Sequence, residues 1–225
     1  IVPDVAATLA ESFAAACRDH GVPLLGGEPA EMPDLYAPNH FDLAGTMVGI
    51  VKRDEMLDGS KVREGDILLG LTSDGLHTNG YSLARKVFET EIRTGQLKLL
   101  NLANGHSAAE ALMQPHRCYL PALRSLIGNP ALHALSHITG GGIEENTRRV
   151  IPKGMKLDVN WQSWPRPDIF TMIQEHGQVA EDEMRRVFNL GIGVIAILDP
   201  SHASEIAADL QKRGERIYPI GRVTK

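Results

Sequence analysis

From residue 66 onward, five short segments that could form strands alternate with segments of helical periodicity, and this alternation constrains the fold more than any other feature of the sequence. The predicted strands are at residues 66–71, 134–138, 156–159, 193–198 and 218–223. The intervening segments predict helices at residues 81–90, 117–127, 144–150, 168–176, 181–188 and 202–213. Such alternation indicates an α/β fold, built as α+β layers in which helices cover a sheet.

The first 57 residues form a different pattern. Residues 1–21 predict a helix, because apolar side chains recur at every fourth position and Gly21 can end it. Residues 41–57 predict a strand. Because the chain begins with Ile1 rather than Met, we expect further sequence upstream. The polar, glycine-containing stretch "DGSKVREGD" that follows is the best candidate for a domain boundary, which gives predicted domains of residues 1–57 and 58–225.

Composition excludes several classes of protein. A chain of 225 residues can bury one large core or two modest ones, and it holds no run of 18 apolar residues, so we expect a soluble protein with no membrane segment. Its formal charge of −5 argues against a nucleic-acid surface, which needs clustered Lys and Arg. Cys17 and Cys118 are far apart and lack metal-ligand spacing, so a reducing, cytoplasmic setting is expected.

The first of three glycine loops is "LLGGEPAEMP", residues 24–33. Its adjacent glycines, Gly26 and Gly27, let the backbone approach a ligand closely, and Glu28 could bind Mg²⁺ or accept a proton. The alternative is a tight turn with solvated acidic side chains. A glycine doublet alone does not separate these two interpretations.

The second loop, within "LLGLTSDGLHTNGYSLARK" (residues 68–86), gathers an acid, an imidazole and an amide between two glycines. Gly75 and Gly80 permit positive φ, and the amino terminus of the helix after the loop could bind an anion. His77 could donate to a phosphate oxygen or transfer a proton. The structural alternative makes Asn79 a helix cap, His77 a surface residue and Asp74 a turn former.

The third loop is "LSHITGGGIEENTRRVIP", residues 135–152. His137 lies in an apolar run, where a histidine is most often a core residue with satisfied hydrogen bonds. Three consecutive glycines nevertheless cost conformational entropy that a plain connection avoids. We therefore expect a ligand at this loop.

Four segments in order, "GGEPAEMP", "DGSKVREGDILLGLTSDGLHTNGYSLARK", "HITGGGIEENTRRVIP" and "MRRVFNLGIGV", resemble the aminoimidazole ribonucleotide synthetase family, the phosphoribosylformylglycinamidine cyclo-ligases. The resemblance covers essentially the whole chain but corresponds to about the last two-thirds of a family member. It implies two α/β domains, of which the first is incomplete here, and a homodimer formed through the amino-terminal domains.

The resemblance also implies a carbon–nitrogen ligase of purine biosynthesis. In such a reaction ATP phosphorylates the formyl oxygen of formylglycinamidine ribonucleotide, an amidine nitrogen displaces the phosphate, and aminoimidazole ribonucleotide is formed with ADP and phosphate. Positioning and charge neutralisation by amide groups, imidazoles and Mg²⁺ suit that chemistry. The implied ligands are ATP, Mg²⁺ and this small substrate, with no nucleic acid or membrane.

Carried over position by position, the resemblance makes His77 and His137 the active-site histidines and Glu28 a possible metal or nucleotide ligand. The implied ATP- and phosphate-binding residues are Gly26, Gly27, Glu28, Asp74, Gly75, Thr78, Asn79, Gly80, Thr139, Gly140, Gly141, Gly142 and Asn146. The chain departs from the family pattern at Pro29, Asp74 and Ile143. Pro29 removes a hydroxyl and an amide donor from the first loop.

Two other hypotheses stay open at this point. One is another ATP-using enzyme of the same superfamily, such as formylglycinamidine ribonucleotide synthetase, thiamine monophosphate kinase or selenophosphate synthetase. The other is a nucleotide-binding module without catalysis. The pairing of "HTNGYSL" with "HITGGGIEEN" favours the cyclo-ligase over the related enzymes.

Overall fold

A computed structural model describes residues 2–38 and 40–225. The chain divides into two compact units, of which the first ends at Val51 and the second runs from Lys52 to Lys225. Among the described residues, no helix has both the length and the apolar character needed to cross a membrane.

The first unit contains helix α1, Pro3–Asp19, which confirms the predicted amino-terminal helix. Pro3 suits the first turn, and Gly21 follows the helix with a φ of 65°. The predicted strand at residues 41–57 is wrong: within the described residues, this stretch contains only the short 3₁₀ helix Arg53–Glu55. Leu43, Met47 and Ile50 are 62 %, 80 % and 101 % exposed, so no neighbouring strand or core covers their apolar side chains.

The second unit is built on a five-stranded sheet. The strands are β1 (Ile67–Thr72), β2 (Leu132–His137), β3 (Lys156–Val159), β4 (Ile192–Leu198) and β5 (Ile217–Thr224). All five predicted strands are confirmed to within two residues. Their order is β2-β4-β1-β5-β3 and every neighbouring pair is antiparallel. Since β1 and β2 both run antiparallel to β4, they are parallel to each other and finish at the same end of the sheet.

Eight further helices belong to this unit in the described part of the chain. They are α2 (Tyr81–Val87), α3 (Glu89–Thr94), α4 (Ala108–Leu112), α5 (Leu120–Arg124), α6 (Gly142–Arg148), α7 (Asp168–Gly177), α8 (Glu181–Val187) and α9 (Ala203–Lys212). The helix predicted at 81–90 is therefore two helices, and the one predicted at 117–127 is shorter. Helix α4 was not predicted, although Ser107 and Glu110 form the capping box that signals its start.

Alternating side chains of the central strands pack on opposite faces of the sheet. Leu69 and Leu71 join a core with Ile206 and Leu210 of α9, whereas Leu68 joins a core with Ile143 of α6. A third core contains the aromatic rings of Phe88, Phe170 and Phe188. Both faces of β1 and β4 are thus buried, so packing holds these two strands in place. The residues that follow β1 and precede β4 are attached to this held end of the sheet, where β2 also finishes.

Candidate functional site

His77 follows β1 by five residues and lies at this end of the sheet. Its side chain is buried, at 3 % exposure, so the alternative of a surface histidine is wrong. Its φ of 58° is a left-handed conformation that costs a non-glycine residue on the order of 1–2 kcal/mol. Strain of this kind persists only where the surrounding structure imposes it, and it is concentrated at functional sites.

Hydrogen bonds fix the tautomer of the His77 ring. The backbone N–H groups of Asp74 and Arg117 point at its Nε2, at 3.2 and 3.5 Å. Because an amide N–H only donates, Nε2 must accept, and the neutral ring carries its proton on Nδ1. This Nδ1 is buried and has no hydrogen-bond partner within residues 2–38 and 40–225.

The environment of His77 predicts a pH dependence of stability. Burial, followed by the rings of His116 and His137 and the guanidinium of Arg117, lowers the pKa of His77 from 6.5 to about 4. Because the folded-state pKa is depressed, the stability associated with the neutral ring is present above pH 6.5 and is lost as the pH falls towards 4. We expect the free energy of unfolding, measured in urea without metal ions, to fall across this range, and to fall less in His77→Gln. An NMR titration giving His77 a pKa near 6.5 would contradict this expectation.

Three imidazole rings meet at the site. His116 stacks on His77, with ring centroids 3.9 Å apart, and its Nε2 lies 3.4 Å from Nε2 of His137. His137 is the last residue of β2 and is exposed, as is His116. Sequence reasoning missed His116. The signal that could have found it is the stretch "PHRCY", in which a second histidine stands beside an arginine and a tyrosine.

The segment that carries His116 is attached firmly to the end of β1. The Arg117 guanidinium donates to the carbonyl and the hydroxyl of Thr72, at 2.8 and 2.7 Å, and forms an ion pair with Glu215. Tyr119 donates from its hydroxyl to the same Thr72 carbonyl at 2.8 Å. These contacts hold the backbone that follows His116 against the sheet.

A buried asparagine holds the loop that follows β1. The Asn189 Oδ1 accepts from the Ser73 hydroxyl and the Gly191 N–H, both at 2.8 Å, and its Nδ2 donates to the Gly75 carbonyl at 2.9 Å. Asp74 lies between these anchors with its carboxylate outside, 3.0 Å from the Arg216 guanidinium. The sequence pattern indicates Asn189 only as part of the entry into a strand and not as a residue that supports the site.

A second buried asparagine holds the triple-glycine loop in the same manner. Asn146 Oδ1 accepts from the Thr139 hydroxyl at 2.9 Å, while its Nδ2 lies 2.8 Å from the Gly142 carbonyl and 3.3 Å from those of Thr139 and Gly140. Through these hydrogen bonds, Asn146 holds the backbone of the triple-glycine loop in its conformation. Gly142 has a φ of 65°, and any Cβ there would collide with the Arg185 carbonyl.

The second and third glycine loops lie side by side. Helix α2 is capped by Gly80 without a side-chain hydrogen bond, so the alternative of Asn79 as the cap is wrong. Gly80 has a φ of 81°, and a Cβ there would strike the ring of Phe188. Asn79 is displaced instead towards the third loop, where its Oδ1 lies 3.7 Å from the position that a Cβ of Gly140 would take.

The other predicted site residues are distributed as follows. Thr78 is exposed beside His77, and Gly141 caps helix α6 with a φ of 105°. Gly26, Gly27 and Glu28 belong to the first unit, where they are exposed in irregular backbone. Within the described ranges, no group of three or more His, Cys, Asp or Glu side chains is placed to hold a metal ion.

Comparison with known proteins identifies the family to which the chain is similar. Residues 63–225 match the family model "AIR synthase related protein, C-terminal domain". Relatives include the phosphoribosylformylglycinamidine cyclo-ligases of Burkholderia multivorans, 43 % identical over 220 residues, and of Xanthomonas campestris pv. campestris, 42 % identical over 222 residues. These alignments cover 98 % of this chain but 62 % and 64 % of the relatives, so the chain spans less than two thirds of their length.

Among solved structures, the chain is similar to Thermotoga maritima PurL complexed with AMPPCP, with a TM-score of 0.46 and 14 % identity over 78 % of this chain and 24 % of that one. The family match covers most of the chain, including the whole five-stranded sheet and both glycine loops at its end. The chain belongs to the AIR synthase related proteins, and its residues 63–225 correspond to the C-terminal domain of that family.

Proposed function

We propose that the chain is part of a phosphoribosylformylglycinamidine cyclo-ligase, which uses ATP to close formylglycinamidine ribonucleotide into aminoimidazole ribonucleotide. The observation that carries this proposal is that His77 and His137 lie on either side of His116, beside two glycine loops at one end of the sheet. The identity of 43 % to cyclo-ligases supports it further.

The geometry suggests a division of roles between the two histidines. His77 is buried, neutral and held by two amide groups, so it suits a positioning contact through its unpartnered Nδ1–H. His137 is exposed at the end of β2, so its ring can reach a reacting atom or exchange a proton with solvent. We assign the proton-transfer role to His137. Although the residue is exposed, partial burial of its ring and the neighbouring His116 lower its pKa, which favours the neutral ring that can accept a proton.

The glycine loops supply backbone N–H groups for phosphate oxygens. We propose Gly75, Thr78, Asn79 and Gly80 from one loop and Thr139, Gly140 and Gly141 from the other as phosphate contacts, with Gly142 and Asn146 shaping the second loop. Asp74 completes the proposed ATP site. Gly26, Gly27 and Glu28 are proposed to contact ATP as well.

Mg²⁺ is proposed as the ion carried by ATP. The described side chains supply no complete site for it, and Glu28 would contribute a single carboxylate, a number that suits Mg²⁺ when phosphates and water complete its shell. We derive no catalytic step through the ion. We further propose that residues 1–57 belong to the amino-terminal domain, which pairs into a homodimer, and that the enzyme is cytoplasmic.

The test is phosphate release by the full-length protein with ATP, Mg²⁺ and formylglycinamidine ribonucleotide. We expect His77→Gln and His137→Gln each to lower kcat by about 10²-fold or more, the usual scale for a lost acid, base or polar stabiliser. The matched control is His202→Gln, at an exposed histidine whose ring is hydrogen-bonded to the neighbouring Ser201, and we expect it to keep the wild-type rate.

Two outcomes would remove the proposal. Turnover with thiamine monophosphate or another superfamily substrate, and none with formylglycinamidine ribonucleotide, would assign a different reaction. ATP binding by calorimetry without turnover of any substrate in the panel would favour a binding module.

A further inference from the structure

The spacing of His116 and His137 has a second chemical meaning, independent of the proposed reaction. Their Nε2 atoms lie 3.4 Å apart, and both side chains are exposed. Two nitrogen ligands of one tetrahedral ion, each at about 2.0–2.1 Å, are separated by about 3.3–3.4 Å. The two imidazoles therefore already have the separation that a shared metal ion requires.

The opposite nitrogen of His116 is arranged as in a metal ligand. Its Nδ1 lies 2.9 Å from the carbonyl oxygen of Arg117, which can only accept, so Nδ1 carries the proton and Nε2 offers its lone pair. Metal-ligating histidines commonly donate their second ring N–H to a backbone carbonyl, which fixes the tautomer and the ring orientation. His116 has this arrangement.

Both rings are attached to backbone that is firmly held. His137 pairs with Val194 in the sheet, and the next residue, Ile138, donates from its N–H to the Gly193 carbonyl at 2.8 Å. His116 precedes Arg117, whose guanidinium is bound to Thr72 and Glu215. Binding an ion would therefore require little reorganisation of the chain.

We propose that His116 and His137 form a two-imidazole site for a divalent transition-metal ion such as Zn²⁺, Ni²⁺ or Cu²⁺. Imidazole nitrogen favours these ions over Mg²⁺, which prefers oxygen. Since the described residues contain no third protein ligand, water or a phosphate oxygen from the adjacent loops completes the coordination. If His137 has the catalytic role proposed above, the bound ion also inhibits turnover, and a chelator reverses the inhibition.

The test is calorimetric titration of the metal-stripped full-length protein with ZnCl₂. We expect one zinc site per chain. His116→Gln and His137→Gln should each weaken zinc binding by at least about tenfold, because loss of an outer-shell partner alone lowers metal affinity by about that factor. His202→Gln and the double variant Cys17→Ser/Cys118→Ser serve as controls, because they remove another exposed histidine and both thiols. Circular dichroism verifies that each variant is folded.

Several outcomes of the zinc titration would contradict the two-imidazole site. Zinc binding that survives both histidine substitutions, or that disappears in the cysteine variant, would overturn the proposal. Electron paramagnetic resonance of bound Cu²⁺ gives an independent readout, in which hyperfine coupling to two imidazole nitrogens is expected. A Cu²⁺ spectrum without coupled nitrogen would also overturn it. None of these measurements depends on turnover, so failure here is distinguishable from failure of the cyclo-ligase assignment.

Discussion

Gly193→Ala is expected to lower the free energy of unfolding by about 3 kcal/mol. The added methyl group overpacks a buried strand, and a hydrogen bond next to it is lost as well. Gly193 lies in β4, and a Cβ there would overlap the Tyr119 hydroxyl and lie 2.8 Å from Cε1 of His77. Tyr119 cannot retreat without losing its bond to the Thr72 carbonyl. The substitution therefore displaces His77 and should also abolish turnover. Urea denaturation and phosphate release measure the two effects.

The matched control for stability is Gly140→Ala. The nearest atom to a Cβ at Gly140 is 3.7 Å away, an ordinary contact, and its φ is not in the left-handed region. We expect a change of less than about 0.5 kcal/mol in the free energy of unfolding. Equal destabilisation by the two substitutions would show that the contact with Tyr119 and His77 is not the cause.

Asn189→Ala is expected to destabilise the protein by about 3 kcal/mol. It leaves the Gly75 carbonyl and the Gly191 N–H without their partner, and unsatisfied buried groups cost about 1–3 kcal/mol each. The backbone beside it is strained at Leu190, which is not a glycine and has a φ of 49°. Losing the anchor should loosen the loop that carries Asp74 and His77. Urea denaturation and hydrogen exchange at Gly75 measure the change.

Asn101→Ala, at an exposed asparagine, is the control and should change the free energy of unfolding by less than about 0.5 kcal/mol.

A double-mutant cycle sharpens the test, because Ser73 donates to the same Asn189 oxygen. We expect a coupling energy of at least about 0.5 kcal/mol between Ser73→Ala and Asn189→Ala. Strict additivity would mean that the two side chains act separately.

Local patterns were enough to predict the five strands but not their order, and the clearest of them, β1 and β4, are short apolar runs. The same reasoning failed for residues 41–57, where an apolar pattern finds no partner strand in the described structure. It also missed α4, whose five residues are too few to show a period. A capping box was the only local sign of that helix.

For the site, the glycine, histidine and amide side chains of each loop can be read from the sequence without coordinates. Folding makes His77 buried and strained, brings His116 beside it, and places Asn146 and Asn189 where they support the loops. These features lie beyond local patterns, because a neutral buried imidazole and a satisfied buried amide depend on neighbours 40 to 114 residues away along the chain. Such neighbours are brought together by the antiparallel order of the sheet, which no local pattern encodes.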